Sequence, residues 1–147
     1  SFSYNFYDSV MTFRFGSTSK AKLDTVNPKL AEVAEAALAL SEIDFGITEG
    51  LRTMEKQQQL VKEGASKTLK SKHLTGNAID IVAYVDGKVT WELQYYEKIA
   101  QSFKIAKDDV GVQIRWGGNW NGYKTDDFKL DPENKFVDAV HFELITT

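Results

Sequence analysis

The chain has 147 residues, 42% of them apolar and 12% aromatic, enough to bury one ordinary core, so a single domain is expected. Its 18 lysines and arginines stand against 21 acids, and a net charge of −3 gives no long-range field for gathering nucleic acid or an anionic membrane. The absence of cysteine excludes disulfides, thiolate metal sites and cysteine nucleophiles together, leaving His, Asp and Glu as the strong metal ligands.

No apolar run approaches the ~18 residues of a membrane span, and no charged segment is followed by an apolar stretch and a small-residue cleavage site. A soluble chain without an export signal is therefore expected. Residues 1–10, with Phe2, Tyr4, Phe6 and Tyr7, read as an N-terminal extension ahead of a domain over 11–147, because Met11-Thr12-Phe13-Arg14-Phe15-Gly16 resembles a natural start.

Asn27 and Pro28 form a cap and first turn. Leu30, Val33, Ala34, Ala37 and Leu38 then fall at i, i+3, i+4, i+7 and i+8, which predicts a core-packing helix. Phe45 to Thr48 reads as a short strand ending at Gly50. Thr53 caps a second helix through Val61 that stops at Gly64, so Arg52 sits at a strand-to-helix corner. The polar stretch 64–77 is too long for a simple connector, and such loops often carry function. Ala78 to Tyr84 reads as a strand, with Asp86-Gly87 as a hairpin turn into Lys88-Val89. Thr90 is placed as the cap of a third helix with Trp91, Tyr95, Ile99 and Phe103 as its buried stripe. Val112 to Trp116 and Val140 to Ile145 complete the strands. Helices early and strands late predict an α+β fold with a small antiparallel sheet packed against about three helices.

There are only two histidines. His73 lies in the long loop, His141 opens the last strand, and Asp80 stands between apolar neighbours in Ala78-Ile79-Asp80-Ile81-Val82. Burying that carboxylate uncompensated would cost several kcal/mol, and a divalent metal is one compensation. Two imidazoles and a carboxylate form a ligand set that catalytic zinc uses, with a further position left for water. Each residue also has an ordinary reading: His73 as an exposed loop residue, His141 as a satisfied core histidine, Asp80 as a cap or solvent-face carboxylate. Composition and spacing leave both readings open. Asp138, three residues before His141, suits a catalytic base if the chain turns there; Glu143 is the competing base, or a partner fixing the His141 tautomer.

Read as wholes, the motifs point further. Ser71-Lys72-His73-Leu74-Thr75-Gly76-Asn77-Ala78-Ile79-Asp80 resembles the S-x-H-x-x-G-x-A-x-D signature of the D-alanyl-D-alanine peptidase superfamily, and Asp138-Ala139-Val140-His141 resembles its acid-x-x-H segment. Gly50-Leu51-Arg52-Thr53 with Gln57 is similar to the family's G-x-R-[ST] segment and following glutamine. Asp rather than Glu at position 138, together with Arg115-Trp116-Gly117-Gly118-Asn119-Trp120, resembles the phage L-alanyl-D-glutamate endopeptidase branch over roughly residues 11–145. One departure is Ala139-Val140, where close relatives often carry glycine.

The resemblance implies one Zn2+ per chain on His73, Asp80 and His141, with Asp138 as base and Arg52 binding substrate and steadying the oxyanion; Gln57 and Ser71 are further candidates for substrate contact. It implies a monomeric endolysin cutting the L-Ala–D-Glu bond of peptidoglycan, with no nucleic-acid or membrane partner. Such an enzyme would be made in the host cytoplasm and reach the wall after holin-type release. The alternatives are a D,D-carboxypeptidase or D-Ala-D-Ala dipeptidase with the same chemistry, and a non-catalytic zinc-stabilised binding module like the hedgehog domain of this fold. Trp116 and Trp120 could line the cleft or belong to the core. Asp126, Asp127, Asp131 and Glu133 have the charge to hold Ca2+ but not the usual ligand-loop spacing, and a solvated acidic run is the simpler reading.

Overall fold

The computed structural model describes residues 12–133 and 136–146; the extension expected over 1–10 lies outside them. The α-helices are α1 (Ser17–Leu23), α2 (Pro28–Leu40), α3 (Met54–Lys62) and α4 (Leu93–Val110). The strands are β1 (Asp44–Glu49), β2 (Ala78–Val85), β3 (Lys88–Thr90), β4 (Ile114–Trp116) and β5 (His141–Leu144). All pairings are antiparallel, in the order β1-β2-β5-β4 with β3 also on β2, so the fold is α+β as expected. Among the described residues there are four α-helices rather than about three. The additional one, α1, is a seven-residue polar segment with Leu23 as its buried residue, too little apolar periodicity to announce itself.

Two of the three caps read from sequence hold, while Thr90 ends β3 and Glu92, without a side-chain cap bond, precedes α4. The Asn27 side chain accepts from the Lys29 amide, and the Thr53 hydroxyl accepts from the Lys56 amide, each satisfying a donor that a first helical turn leaves free. Asp86 and Gly87 both have positive φ, 53° and 76°, as a tight hairpin between β2 and β3 requires.

The stripe expected on the third helix is corrected. That helix, α4, begins at Leu93, Trp91 precedes it at 64% exposure, and the buried face is Tyr96, Ile99, Ala100, Phe103 and Ala106. Spacing every residue by four drifts around a helix of 3.6 residues per turn, whereas this set alternates threes and fours and stays on one side. Tyr96 is fixed at both ends of its hydroxyl, which donates to the Thr90 carbonyl at 2.7 Å and accepts from the Ala83 amide at 3.1 Å.

The core lies between α2, α4 and one face of the sheet. Phe142 of β5 stacks on Phe103 at 3.8 Å between ring centroids and on Trp116 at 6.2 Å, and Phe103 continues to Phe45 and Phe15. Trp116 is a core residue, 1% exposed, with its indole N–H donated to the Ala139 carbonyl. Because side chains alternate across a strand, Ile79 and Ile81 of β2 and Phe142 and Leu144 of β5 face this core and leave Asp80, His141 and Glu143 on the opposite face.

Candidate metal centre and active site

The three proposed ligands are far apart in sequence and come together through the pairing of β2 with β5. Asp80 lies directly across from His141 in that ladder, and directly opposed residues share a face. His73 is delivered by a single 3₁₀ turn, Lys72–Thr75. The Ser71 hydroxyl opens this turn by accepting the His73 amide, and Gly76 closes it in the left-handed conformation, φ 73°. Ser71, a candidate for substrate contact or for shaping the loop, caps the turn that carries His73.

The Oδ1 atom of Asp80 lies 3.2 Å from Nε2 of His73 and 3.2 Å from Nδ1 of His141. The two imidazoles sit edge to face, 5.2 Å between centroids. Among the described residues this is the one group of three or more His, Asp or Glu side chains able to hold a metal ion, with its donor atoms within 4.8 Å of one another. Both rings are oriented from behind. Nδ1 of His73 must carry a proton, since its partner at 2.9 Å is the carbonyl oxygen of Gly50, which leaves Nε2 free as a donor. Nε2 of His141 lies 2.9 Å from Oε1 of the buried Glu143, which leaves Nδ1 free on the Asp80 side. Two imidazole nitrogens and one carboxylate oxygen, freed by these bonds to converge, suit zinc.

Electrostatics agree. Burial opposes ionisation of Asp80, yet its contacts with the rings of His141 and His73 outweigh it and hold the carboxyl well below the usual carboxylate range. For His141, burial disfavours the imidazolium, but its bonds to Asp80 and Glu143 prevail and push its pKa up to about 9. The carboxylates around the two rings thus favour positive charge at this cluster.

Arg52 donates from Nε to Glu49, from Nη1 to Oε1 of Gln57 at 2.7 Å, and places Nη2 beside Glu49 and 3.8 Å from Asp80. Glu49 reaches it through a β-bulge, a device that re-aims a side chain: the register shifts between Ile47 and Glu49, so Glu49 rather than Thr48 opposes Asp80. Sequence reasoning missed Glu49, although its position three residues before Arg52 was a readable signal. Gln57, a candidate for substrate contact, is a buried residue of its helix. It is 0% exposed, with its amide donating to Ser66 Oγ and the Thr68 carbonyl while its oxygen holds Arg52. Its role is to tie the loop to the guanidinium.

The chain does turn at Asp138: its carbonyl accepts the His141 amide at 3.1 Å, and its amide donates to Gly117 at 2.9 Å. Burial pushes the Asp138 carboxyl up, with smaller contributions from His141, Asp80, His73 and Arg52, whose charges it feels. Trp120 lies beside the site, 5.5 Å from the His141 ring, and stacks on Phe136. A surface hollow between Lys29, Lys107, Val112 and Ile145 lies elsewhere, so donor chemistry rather than volume marks this site.

The calcium reading of the acidic run is not supported. Asp126 pairs with Lys107 at 2.8 Å, while Asp127 and Asp131 each accept the backbone amide two residues on, so these carboxylates close local turns and do not converge on a cation.

Comparison with known proteins decides the family. The profile described as phage L-alanyl-D-glutamate peptidase matches residues 11–145. The chain belongs to that family. It is 37% identical over 139 residues to the L-alanyl-D-glutamate peptidase of Escherichia phage T5, covering 92% of this chain and 100% of that one. It is 31% identical to the peptidoglycan L-alanyl-D-glutamate endopeptidase CwlK of Bacillus subtilis, with 64% of each covered. The crystal structure of the L-Ala D-Glu endopeptidase ChiX of Serratia marcescens superposes with a TM-score of 0.78 at 36% identity, covering 95% of both chains.

Proposed function

We propose that this protein is a zinc endopeptidase that hydrolyses the L-Ala–D-Glu bond of peptidoglycan stem peptides, and that residues 11–147 form its single catalytic domain. The observation that carries the reading is the Asp80 carboxylate set between a free nitrogen of His73 and a free nitrogen of His141, with Asp138 beside them. Membership of the family supplies the substrate class.

His73, Asp80 and His141 would hold the metal. What zinc supplies when bound is Lewis acidity, which polarises an amide carbonyl and makes water a competent nucleophile near neutral pH. Asp138 takes a proton from the attacking water and returns it to the nitrogen of D-Glu as the C–N bond breaks. Its raised affinity for protons suits both halves of that task. Arg52 keeps donors beyond those given to Glu49 and Gln57, and these can meet the carbonyl oxygen as negative charge develops on it.

The test is product mapping on defined muropeptides with zinc-loaded protein. A new amino terminus on D-Glu is expected; release of free D-Ala with the L-Ala–D-Glu bond intact would point to the carboxypeptidase chemistry instead. Absence of any cleavage by protein holding one zinc would favour a binding module.

A further inference from the structure

We infer that Glu143, clamped by Lys72 and Arg115, is a positioning residue that fixes which nitrogen of His141 faces the metal; the inference rests on the metal-centre reading above. Its two carboxylate oxygens have separate tasks. Oε1 lies 2.9 Å from His141 Nε2, whereas Oε2 faces two cations, Lys72 Nζ at 3.4 Å and Arg115 Nη1 at 3.8 Å.

Each cation is itself anchored. Lys72 precedes His73 in the 3₁₀ turn and donates to the Leu144 carbonyl at 2.8 Å, so one side chain joins the segments carrying two of the ligands. Arg115 stands opposite Glu143 in the β4–β5 ladder and lies over the Tyr123 ring at 4.6 Å. Its Nε is buried without a hydrogen-bond partner, an arrangement that costs stability and is explained if the guanidinium is kept there for its charge. Across β2 the residue opposite Glu143 is Ala78, small enough to leave the carboxylate its place.

The arrangement is directional. Both ring nitrogens of His141 face carboxylates that can only accept; with a metal shared between Asp80 and Nδ1, the proton of neutral His141 is held on Nε2 by Glu143. An uncharged amide at the same position would behave differently. With two cations on one side, the oxygen of Glu143→Gln would turn towards Lys72 and Arg115 and its NH2 towards His141. The ring would then accept at Nε2 and carry its proton on Nδ1, where the metal should sit.

The experiment is zinc affinity of wild type and E143Q by chelator competition. It is joined by long-range 1H–15N spectra of the zinc-loaded wild type, which report the His141 tautomer directly and which a merely structural role would not determine. E143Q is expected to fold and to bind zinc about 10- to 100-fold more weakly, the usual loss on removing a residue that orients a metal ligand. The wild type should show a proton on Nε2 of His141. Unchanged affinity in E143Q overturns the inference, and so does a wild-type proton on Nδ1, which decides the matter even if E143Q fails to fold. A wild type that binds no zinc at all would instead overturn the metal-centre reading, and this inference with it.

Discussion

Gly117→Ala isolates the contact that sets Asp138, the proposed base. Gly117 donates its amide to the His141 carbonyl at 2.8 Å and accepts the Asp138 amide at 2.9 Å, so the two backbones run in direct contact. A Cβ at position 117 would overlap the Asp138 carbonyl oxygen and come within 3.0 Å of its carbonyl carbon and 3.1 Å of its Cβ. No flexible side-chain end is available to yield, so the 138–141 turn must retreat. A retreat on the order of 1 Å costs about 10²-fold in rate when it misplaces a catalytic group. The overpacking itself should cost about 1–3 kcal/mol of stability. Steady-state cleavage of a soluble muropeptide, with zinc content and thermal melts measured in parallel, separates the two effects: kcat should collapse in protein that remains folded. Gly16→Ala is the control, because a Cβ there meets nothing within 4 Å and should leave activity unchanged. A folded Gly117→Ala variant with wild-type kcat would refute the idea that this close approach holds Asp138.

Asp138→Asn should lower turnover by about 10²- to 10⁴-fold while zinc stoichiometry stays at one, checked by elemental analysis beside the kinetics. Gln57→Leu removes an acceptor from Arg52 and a donor from the Thr68 carbonyl in a buried setting, and should cost about 1–3 kcal/mol in denaturant unfolding. Zinc must displace the proton that His141 holds up to about pH 9, so zinc affinity should climb as pH rises towards that value and then level, as isothermal titration would show. In metal-free protein the raised His141 pKa contributes stability that is complete below 6.5 and lost as pH rises through about 9; the lowered Asp80 pKa contributes stability present above 3.8 and lost in acid. Metal-free melts should therefore peak between these limits, and a melting temperature still rising from pH 7 to 9 would contradict the assignment.

Much of this was legible in the sequence because local rules agree with the fold. The stripe of α2, its Asn27 cap and the Asp86-Gly87 turn each state their geometry in a few residues. What was not legible depends on partners distant in the chain. Gln57 is a polar residue on a largely solvated helix, and nothing local says that Arg52, Ser66 and Thr68 will surround its amide. The acidic run looks like a cation site until Lys107 arrives from α4 to pair with Asp126. Composition offered the proposed ligand set as one of two readings, and motif resemblance chose between them. Spacing cannot announce that Asp80 will face His141 rather than Phe142, since slipping the β2–β5 register by one residue would turn the histidine into the core.

The ten-residue signature around His73 owes its specificity to that register. Ser71 starts the 3₁₀ turn and Gly76 ends it with a backbone conformation that L side chains rarely adopt, so the distance from His73 to β2 is fixed by two caps. Two residues on, Ala78 begins the strand opposite Glu143, and two further Asp80 meets His141. The small residue and the ligand thus occupy successive places on one face of the sheet, while Ile79 and Ile81 lock the other face into the core. Each position of the motif answers a separate steric or hydrogen-bonding demand, and the demands are coupled through one strand. A substitution at Ser71, Gly76 or Ala78 should disturb the proposed ligands without removing one, which is why the pattern carries more information than His73 and Asp80 alone.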